Sequence, residues 1–557
     1  MYKKLLPFFL FILFFQITKA QKEFITVWKP STPSTGIFNG IPYSSSDTQI
    51  WLPTRGDDYT ISWEEIGYPA HHAELQNVYS AYQILIDFGT PLNPNPGSAV
   101  YRVKVSSGTG NFHQIRFVDF DLFSGDGVVG DVNKIIDVEH WGTTVWSSMN
   151  SAFFGCGYLD ISASDIPNLS NVTDMSSMFT NCGSLIGNPS FKNWDTSNVT
   201  TLQGTFMGAF VFNQPIGSWN TSNVTNMGVT FNMAKAFNQP LANWDTSKVE
   251  TMTAMFNHAL AFNQPIGNWD LSRNLDCEFM FSNALKFNQP IGNWDTSKVI
   301  EMNNMFLFAE KFNQDIGNWD TSSVKYMHGM FYAASDFNKN IGNWNTNSVI
   351  TMGNMFMNAS KFNQNIGSWN TSNVIQTQQM FKNAASFNQN LGNWNLSSII
   401  IAEDMFLNSG LNCQNYDSTL YGWSQNPATP NNISLYNASP LVYSHSAAIA
   451  ARNHLINTKG WTIIGDTFNG ECASVLSTSE SAIGSEASIY PNPAQDFIYI
   501  KNKPASENYI ILDAAGRVIK KNILNTDSVN IQFLNPGNYM LQIILKDKIQ
   551  SFKFIKK

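Results

Sequence analysis

A tryptophan recurs every 25 residues through the middle of this 557-residue chain. The members of this series are Trp194, Trp219, Trp244, Trp269, Trp294, Trp319, Trp344, Trp369 and Trp394. A fixed period of roughly 20 to 50 residues is typical of stacked repeats, in which each unit buries its apolar face only against its neighbours. The sequence therefore predicts an elongated array, and such arrays mostly serve as binding surfaces.

Within each repeat the apolar residues fall at helical spacing. In the coil 299–319 they occupy positions i, i+3, i+4, i+7 and i+10, which are Met302, Met305, Phe306, Ala309 and Phe312. This spacing predicts a helix of about two turns. The Asn-Trp-Asp-Thr-Ser segment predicts a turn, because these polar side chains bond the backbone two residues on. Val299 and its equivalents are predicted to form a short strand that stacks coil on coil.

We count about eleven such coils between residues 146 and 410. The predicted fold class is an α/β repeat solenoid of leucine-rich-repeat type, because the period lies within that range. The coil at Trp269 departs from the pattern, since Asn274 stands at the valine position and Leu275 follows. We expect a local bulge there in which Leu275 takes the place of the valine.

The repeat Met-Phe-x-x-Ala-x-x-Phe-Asn-Gln-x-Ile-Gly-x-Trp-Asp-Thr-Ser-x-Val resembles that of BspA-like leucine-rich-repeat surface proteins, the type also found in mycoplasma surface lipoproteins. The resemblance covers roughly half of the chain. It implies a secreted or surface-displayed protein that acts in adhesion or host binding. The leucine-rich pattern L-x-x-L-x-L-x-x-N is absent, so a coil like that of a β-helix stays open as an alternative.

The N-terminus predicts export. Residues 1–20 combine Lys3 and Lys4, an apolar run over 5–15 and a small residue at Ala20, as a signal peptide does. Gln21 stands where a lipoprotein would need cysteine. The rest of the chain lacks the ~18 consecutive apolar residues of a membrane helix. We therefore expect a secreted chain without a transmembrane segment.

The C-terminus predicts a second export signal. Residues 488–557 contain short alternating β runs between turn residues, which predict a small β-sandwich. The motifs Tyr490-Pro491-Asn492-Pro493 and 534–540 resemble the C-terminal sorting domain of the type IX secretion system. This resemblance implies that residues 488–557 engage the secretion machinery of a Bacteroidetes-type host. The protein is then expected outside the cell or on its outer surface.

The remaining segments complete the predicted organisation. Residues 22–145 hold β-leaning runs broken by proline-rich turns and are predicted to form a β-rich capping domain. Residues 411–470 are predicted to cap the other end of the repeats 146–410, with a helix over 444–457. Both caps are needed because a terminal coil otherwise exposes apolar core. The serine-rich stretch 471–487 is predicted to be a linker to the sorting domain.

Composition excludes some classes of function. Charged residues make up 13% of the chain, the net charge is −8, and no basic patch indicates nucleic-acid binding. The motifs of serine hydrolases, zinc proteases and phosphate loops are absent. We therefore predict a binding or adhesion module without a cofactor and not an enzyme. Two alternatives remain: a structural envelope or biofilm-matrix protein, or an enzyme with an unrecognised site in the N-terminal β domain.

The five cysteines give two candidate disulfides. Cys156 and Cys182 occupy the same position in neighbouring coils, and stacked coils about 5 Å apart allow a bond. Both are equally well explained as small core residues. Cys413 and Cys472 bracket the C-terminal cap and form the second candidate pair, which leaves Cys277 over as a buried thiol.

Three patterns suggest metal binding, and each has a simpler interpretation. An aspartate or asparagine follows every repeat tryptophan, and turn capping is favoured over calcium binding there. Asp119, Asp121, Asp126 and Asp131 lack the spacing of a calcium-binding loop. The His71-His72-x-Glu74 motif has no second cluster to complete a site and is predicted to be an exposed loop. The sequence therefore predicts no metal site.

A ligand would meet the positions that vary from coil to coil. The positions two and four residues after each valine form two such columns, which we define as the variable face. Its candidate binding residues are Asp276, Glu278, Glu301, Asn303, Tyr326 and His328. The expected ligand is an extracellular protein or polysaccharide, and the alternative is that these columns are neutral solvated surface.

Overall fold

The structure is a computed structural model that describes residues 22–33, 36–38, 41–43, 45–120, 127–472, 488–501, 508–514, 517–544 and 549–557. The chain divides into two compact units, Met1–Ser474 and Val475–Lys557. The predicted signal peptide 1–20 and residues 473–487 of the predicted linker lie outside the described residues.

The first unit begins with β-strands. They are β1 (Phe24–Trp28), β2 (Gly36–Phe38), β3 (Ile41–Tyr43), β4 (Gln49–Leu52), β5 (Thr54–Glu65), β6 (Tyr68–Ser80), β7 (Ile84–Asp87), β8 (Tyr101–Ser106), β9 (Asn111–Ile115), β10 (Val118–Phe120), β11 (Gly127–Val129), β12 (Ile135–His140) and β13 (Asp160–Ile161). Seven of them form one sheet in the order β13-β12-β1-β8-β5-β6, with β9 also paired to β5. Alternate residues of β8 are buried, so one face of the sheet packs on a core.

That core continues into the repeats without a break. The Phe24 ring lies 5.0 Å from Trp146, and Trp141 lies 5.4 Å from Trp194, both edge to face. A single cluster of buried apolar residues extends from Phe24 to Ile463. The N-terminal sheet therefore covers the first coils and shields the apolar interior that they would otherwise expose.

The prediction of an α/β solenoid is wrong, because the repeats contain no helix of the predicted kind. The α-helices of the described residues are α1 (Cys413–Gln425) and α2 (Ser446–Asn457), and both follow the repeats. A short 3₁₀-helix, Pro189–Asn193, lies in one early coil. Each regular coil is instead a series of turns, and the segment predicted to be helical is part of that series.

Backbone hydrogen bonds explain this difference. An α-helix requires each N–H to donate to the carbonyl four residues earlier. In the coil 299–319, every second N–H donates to the next coil instead: Met302 to Tyr326 at 3.0 Å, Asn304 to His328 at 2.8 Å, Phe306 to Met330 at 2.9 Å and Phe308 to Tyr332 at 2.8 Å. The intervening residues Met305, Leu307 and Ala309 donate to the carbonyl three residues earlier.

Left-handed residues enforce this pattern. In the coil 299–319, Asn304 has φ 55° and Phe308 has φ 54°, and neighbouring coils repeat the pair four residues apart. Equivalent pairs are Gly204 and Gly208, Val229 and Met233, Ala254 and His258, Phe279 and Asn283, Gly329 and Ala333, Asn354 and Asn358, Gln379 and Asn383, and Asp404 and Asn408. A residue at positive φ interrupts a right-handed helix, so two per coil prevent one from forming.

The predicted strand is reduced to a single residue in each coil. Parallel bridges join equivalent positions of neighbouring coils, which lie 27 residues apart for the first pair and 25 apart for the rest: Asp174, Thr201, Asn226, Thr251, Asp276, Glu301, Tyr326, Thr351, Gln376 and Ile401. The bridged residue lies two places after the valine. The expectation for Leu275 is also wrong, because Asn274 is fully buried at the valine position and Leu275 is 46% exposed.

Aromatic rings stack along the interior in register. Phe306 lies 5.7 Å from Phe281 and 5.6 Å from Phe331, with interplanar angles of 7° and 6°. Trp319 and Trp344 stack at 6.3 Å with an angle of 2°. The indole nitrogen also donates to the carbonyl 28 residues earlier, as from Trp319 to Ile291 at 3.0 Å. All nine tryptophans of the predicted series are therefore buried, and most neighbouring pairs stack.

Polar side chains form parallel ladders of their own. Thr321 Oγ1 donates to the Asn345 carbonyl of the next coil at 3.0 Å. Asn288 Oδ1 accepts from the backbone N–H of Asn313 at 2.9 Å and from Gln314 Nε2 at 2.8 Å. Asparagine ladders of this kind stabilise stacked, in-register chains. The polar side chains that repeat from coil to coil are therefore largely engaged in hydrogen bonds between coils.

The C-terminal part of the first unit covers the last coils of the repeat region. Its strands are β14 (Ser434–Asn437), β15 (Val442–Tyr443), β16 (Thr462–Ile464) and β17 (Thr467–Phe468), which accompany α1 and α2. Trp423 of α1 stacks on Phe406 at 6.0 Å, and its Nε1 donates to the Leu391 carbonyl at 2.9 Å. Trp423 thus takes the next place in the tryptophan ladder although it lies in a helix.

The second unit is built from two small sheets around one core. Its strands are β18 (Ser488–Tyr490), β19 (Phe497–Lys501), β20 (Asn508–Asp513), β21 (Val518–Ile523), β22 (Ser528–Asn530), β23 (Gly537–Ile544) and β24 (Ile549–Lys556). They pair in the orders β18-β19-β22 and β21-β20-β23-β24. Ile498 of one sheet and Ile511 and Leu541 of the other are buried in the same cluster.

Replacing Trp319 by phenylalanine tests the indole hydrogen bond. Trp319→Phe leaves the buried Ile291 carbonyl with the Trp294 N–H as its remaining donor, at 3.3 Å, and we expect loss of the indole bond to add about 0.5–1.5 kcal/mol of destabilisation to the loss of ring area. Trp194→Phe is the matched control, because Trp194 Nε1 is buried without a hydrogen-bond partner. Urea unfolding should show the larger loss for Trp319→Phe. Equal losses would contradict a role for the bond.

Replacing Val229 by asparagine tests the backbone strain. Val229 has φ 51°, where a β-branched side chain is strained, whereas asparagine tolerates this region. Val229→Asn should therefore raise the free energy of unfolding by about 1 kcal/mol. The reverse change at the equivalent position, Asn304→Val, should lower it. A fall in the melting temperature of Val229→Asn would argue against the strain.

Candidate functional site

The variable face lies along the bridge column of the stack. Asp276, Glu301 and Tyr326 are three consecutive bridged residues, so their backbones are paired. Glu278, Asn303 and His328 lie two residues further on in the same three coils, and all six side chains are partly exposed. The structure therefore brings the six predicted binding residues together on adjacent coils.

Hydrogen bonds link these side chains across the coils. Asp276 accepts from the Glu278 N–H at 2.8 Å and from Thr253 Oγ1 at 2.6 Å. Asn303 Nδ2 donates to Glu301 Oε2 at 3.2 Å, while its Oδ1 accepts from the His328 N–H at 2.8 Å. The face is thus a preorganised polar surface.

The environment of this face disfavours the ionised form of its two glutamates, Glu278 and Glu301. Burial raises the pKa of Glu278, and the charge of Asp276 adds to the effect. Burial also raises the pKa of Glu301, with further contributions from Glu278 and Asp276. Burial lowers the pKa of His328, so its neutral form is favoured. Nδ2 of Asn354 lies 3.3 Å from His328 Nε2.

The aspartates after the repeat tryptophans act as turn caps. Asp295 Oδ1 accepts from the Ser297 N–H at 3.0 Å, and Asp320 Oδ1 accepts from the Ser322 N–H at 2.9 Å. Hydrogen bonds from the side chain and backbone of that serine lower the pKa of each aspartate. These carboxylates are therefore stabilised as anions by their own turns.

The other two sequence patterns that were considered for metal binding have structural roles in the part of the chain that the structure describes. His71 and His72 lie in strand β6 and not in a loop. His71 Nδ1 lies 2.6 Å from Glu65 Oε2, and Nε2 lies 2.7 Å from the Phe88 carbonyl oxygen. Asp119 forms ion pairs with Arg55 and Arg116, whereas Asp121 and Asp126 lie outside the described residues. No group of three or more His, Cys, Asp or Glu in the described parts of the chain could hold a metal ion.

The structure differentiates the two candidate disulfides. Cys413 and Cys472 are joined, with 6.4 Å between their Cα atoms. Cys156 and Cys182 are free, so the bond suggested for them is not formed. Both are buried at the small-residue position of their coils, and Cys182 Sγ donates to the Phe153 carbonyl at 3.1 Å. They therefore serve as core residues.

A buried polar cluster in the N-terminal sheet region bears on the enzyme alternative. Lys134 Nζ donates to Ser45 Oγ at 2.6 Å and to the carbonyls of Ser46 at 2.9 Å and Gln49 at 3.0 Å. Ser45 Oγ also donates to Asp131 Oδ2 at 2.6 Å. Burial lowers the pKa of Lys134, while the oxygen acceptors around Nζ hold its side chain in place. The cluster ties the turn 45–49 to the sheet region.

Sequence reasoning missed an aliphatic column beside the variable face. The residue directly after the valine position is apolar in five of the last six coils: Leu275, Ile300, Ile350, Ile375 and Ile400. Leu275 is 46% exposed and Ile400 is 70% exposed. The sequence alone could have revealed this column, because the residues at this position change from polar in the earlier coils to aliphatic in the later ones. The earlier residues are Thr200, Thr225 and Glu250. The face therefore has an apolar edge in its second half.

Comparison with protein families adds two findings. Residues 147–266, 215–319, 258–356 and 307–423 match the family described as "Mycoplasma protein of unknown function, DUF285". The central region is an array of DUF285 repeats. Residues 488–557 match the secretion system C-terminal sorting domain. No curated protein matches the chain.

These matches confirm the coarser part of the resemblance. The DUF285 repeats are those of a surface-protein family, and the sorting domain implies interaction with the type IX secretion machinery. The protein is therefore consistent with export to the cell surface or the extracellular space. Among the described residues, no helix has the length and apolar character that a membrane crossing requires.

The pKa shifts predict how stability depends on pH. The pKa of Glu301 is raised in the folded state, so its ionisation costs stability above that pKa and costs nothing below the ordinary glutamate value of about 4.3. Glu301→Gln should therefore raise the melting temperature at neutral pH, with the gain disappearing in acid.

The matched control for this variant is Asp320→Asn, which keeps the turn-capping oxygen. The pKa of Asp320 is lowered, so its ionised form adds stability above its ordinary value of about 3.9 that is lost as the pH falls. Asp320→Asn should lower the melting temperature at neutral pH, opposite in sign to Glu301→Gln. Shifts of the same sign for both variants would refute this electrostatic picture.

Proposed function

We propose that this protein is a non-enzymatic adhesion or binding module that recognises an extracellular protein or polysaccharide through the variable face of its repeats. The main support is how the polar groups are used. The repeating tryptophan, threonine and asparagine side chains bond between coils, as at Trp319, Thr321 and Asn288. The side chains of the variable face differ from coil to coil and are partly exposed.

The chemistry of the face suits a polar ligand. Glu301 and Asn303 offer hydrogen-bond acceptors and donors, and Tyr326 is the residue of the next coil whose backbone is bridged to Glu301. His328, favoured in its neutral form, can both donate and accept a hydrogen bond. The bond between Asn303 and the His328 backbone fixes the relative positions of two coils. A prearranged surface loses little conformational entropy when it binds.

The sorting domain supports the same proposal from the other end of the chain. A protein exported through the type IX machinery works where ligands are extracellular macromolecules. The structural alternative, an envelope or matrix protein without a specific ligand, predicts the same export. The two functions differ only in whether the variable face binds a defined partner, so a binding measurement must separate them.

The test uses the full secreted chain on arrays of glycans and extracellular-matrix proteins. We expect defined hits, and a variant with Glu301→Ala, Tyr326→Ala and His328→Ala together should weaken them at least about tenfold if these contacts include a hot spot. Affinity can then be measured by surface plasmon resonance. Because these side chains are partly exposed, far-ultraviolet circular dichroism should show that the triple variant stays folded.

A matched control changes three exposed residues elsewhere on the coils: Lys286, Asn318 and Asn343, each replaced by alanine. This control should bind like the wild type. Binding that is unchanged in the Glu301, Tyr326 and His328 variant would exclude the variable face. An array without any hit would favour the structural alternative.

A further inference from the structure

Strand β6 presents a long unpaired edge. It is the last strand of the seven-stranded sheet and pairs with β5, and no other strand of the described residues pairs with it. From Pro69 to Asn77 every residue except His71 is exposed, including Leu75 at 39%. Unpaired edge strands of this kind are templates for pairing with another chain.

The straight part of this edge has defined ends. Pro69 has no backbone N–H and so cannot donate to a neighbouring strand at that position. Asn77 has φ 54°, and the pairing with β5 shifts register nearby, so the strand deforms there. Between these two residues lie the seven residues 70–76, which contain neither lysine nor proline, the usual protection against edge pairing. Their midpoint is Ala73.

This segment is complementary to a second copy of itself. In an antiparallel pair with its two-fold axis at Ala73, His72 of each copy lies opposite Glu74 of the other, Ala70 opposite Gln76 and His71 opposite Leu75. Directly opposed side chains of opposite character stabilise a sheet, whereas like charges destabilise it. Moving the axis by one residue would place His72 opposite His72 or Glu74 opposite Glu74. The sequence therefore favours one register.

The side chains involved are available for such pairing. His72 and Glu74 lie opposite Glu64 and Ser62 of β5, on the face away from the buried Trp63. The His72 Nδ1 atom contacts the Pro69 carbonyl at 2.9 Å, which leaves Nε2 for a neighbour. Glu74 Oε1 accepts from Gln76 at 2.6 Å, which leaves Oε2. One imidazole nitrogen and one carboxylate oxygen per copy can thus meet across the axis.

We propose that two copies of this protein pair edge to edge through residues 70–76 of β6, extending the N-terminal sheet across a two-fold axis. The paired strands would satisfy the outward backbone groups of both edges and cover Leu75 with His71 of the partner copy. An isologous contact of this kind closes on itself and gives a dimer and not a fibre.

Sedimentation velocity of the full secreted chain over a wide concentration range tests the proposal. We expect the molar mass to double as the concentration rises. His72→Glu places a glutamate opposite Glu74 of the other copy at two symmetry-related places. Each contact then becomes repulsive, so the dimer dissociation constant should rise about tenfold. The swapped variant H72E/E74H restores the complementary pairs and should restore dimerisation.

Glu403→Lys is the matched control, because Glu403 is an exposed acidic residue on the repeats. It should leave the dimer unchanged, and far-ultraviolet circular dichroism should show that all variants are folded. Hydrogen exchange of the amides of 70–76 should slow on dimerisation. A chain that stays monomeric, or a dimer insensitive to His72→Glu, would overturn the proposal. A monomeric chain would mean that the edge of β6 does not pair with a second copy of this protein.

Discussion

The alternation of backbone hydrogen bonds between coils is the constraint on which the repeat region depends. Every second N–H of the turn segment donates to the next coil, as Asn304 does to His328 and Phe306 to Met330. This ladder exists only if equivalent residues are level with each other, so each regular coil must have the same length. The same register aligns the phenylalanine rings at 5.6–5.7 Å around Phe306. Insertion of one residue would break both ladders at once.

This internal bonding also determines what the surface can offer. The ladders of Trp319 and Thr321 satisfy buried polar groups without charges, which agrees with a chain that is only 13% charged. Positions that take part in a ladder cannot vary freely, because a change would leave a buried group without its partner. Variation is therefore concentrated at columns whose side chains point outward, such as those of Glu301 and His328. A recognition surface can change there while the backbone of the stack stays the same.

The sequence predicted the stacking, the buried tryptophans and the turn-capping aspartates, because each follows from a residue that recurs at one place in the period. Apolar spacing alone could not show that the predicted helix was wrong. Met302, Met305, Phe306 and Ala309 are buried in the observed coil of turns, as they would be in a helix. The contrary signal was the asparagine or glycine at positions such as Asn304, Gly208 and Asn358, which tolerate positive φ. The variable face was predicted from its period, whereas the edge of β6 has no period to reveal it.

The proposed dimer and the proposed binding face have a physical connection. The variable face is partly exposed and polar, and contacts of that kind are individually weak in water because they exchange hydrogen bonds with solvent. Two copies joined through β6 would present two such faces on one particle. When both can reach the same surface, the second binding event becomes intramolecular, so avidity exceeds the affinity of either face without any new contact. Under the two proposals, a weak, variable surface on a paired scaffold would be sufficient for attachment to a dense array of extracellular ligands.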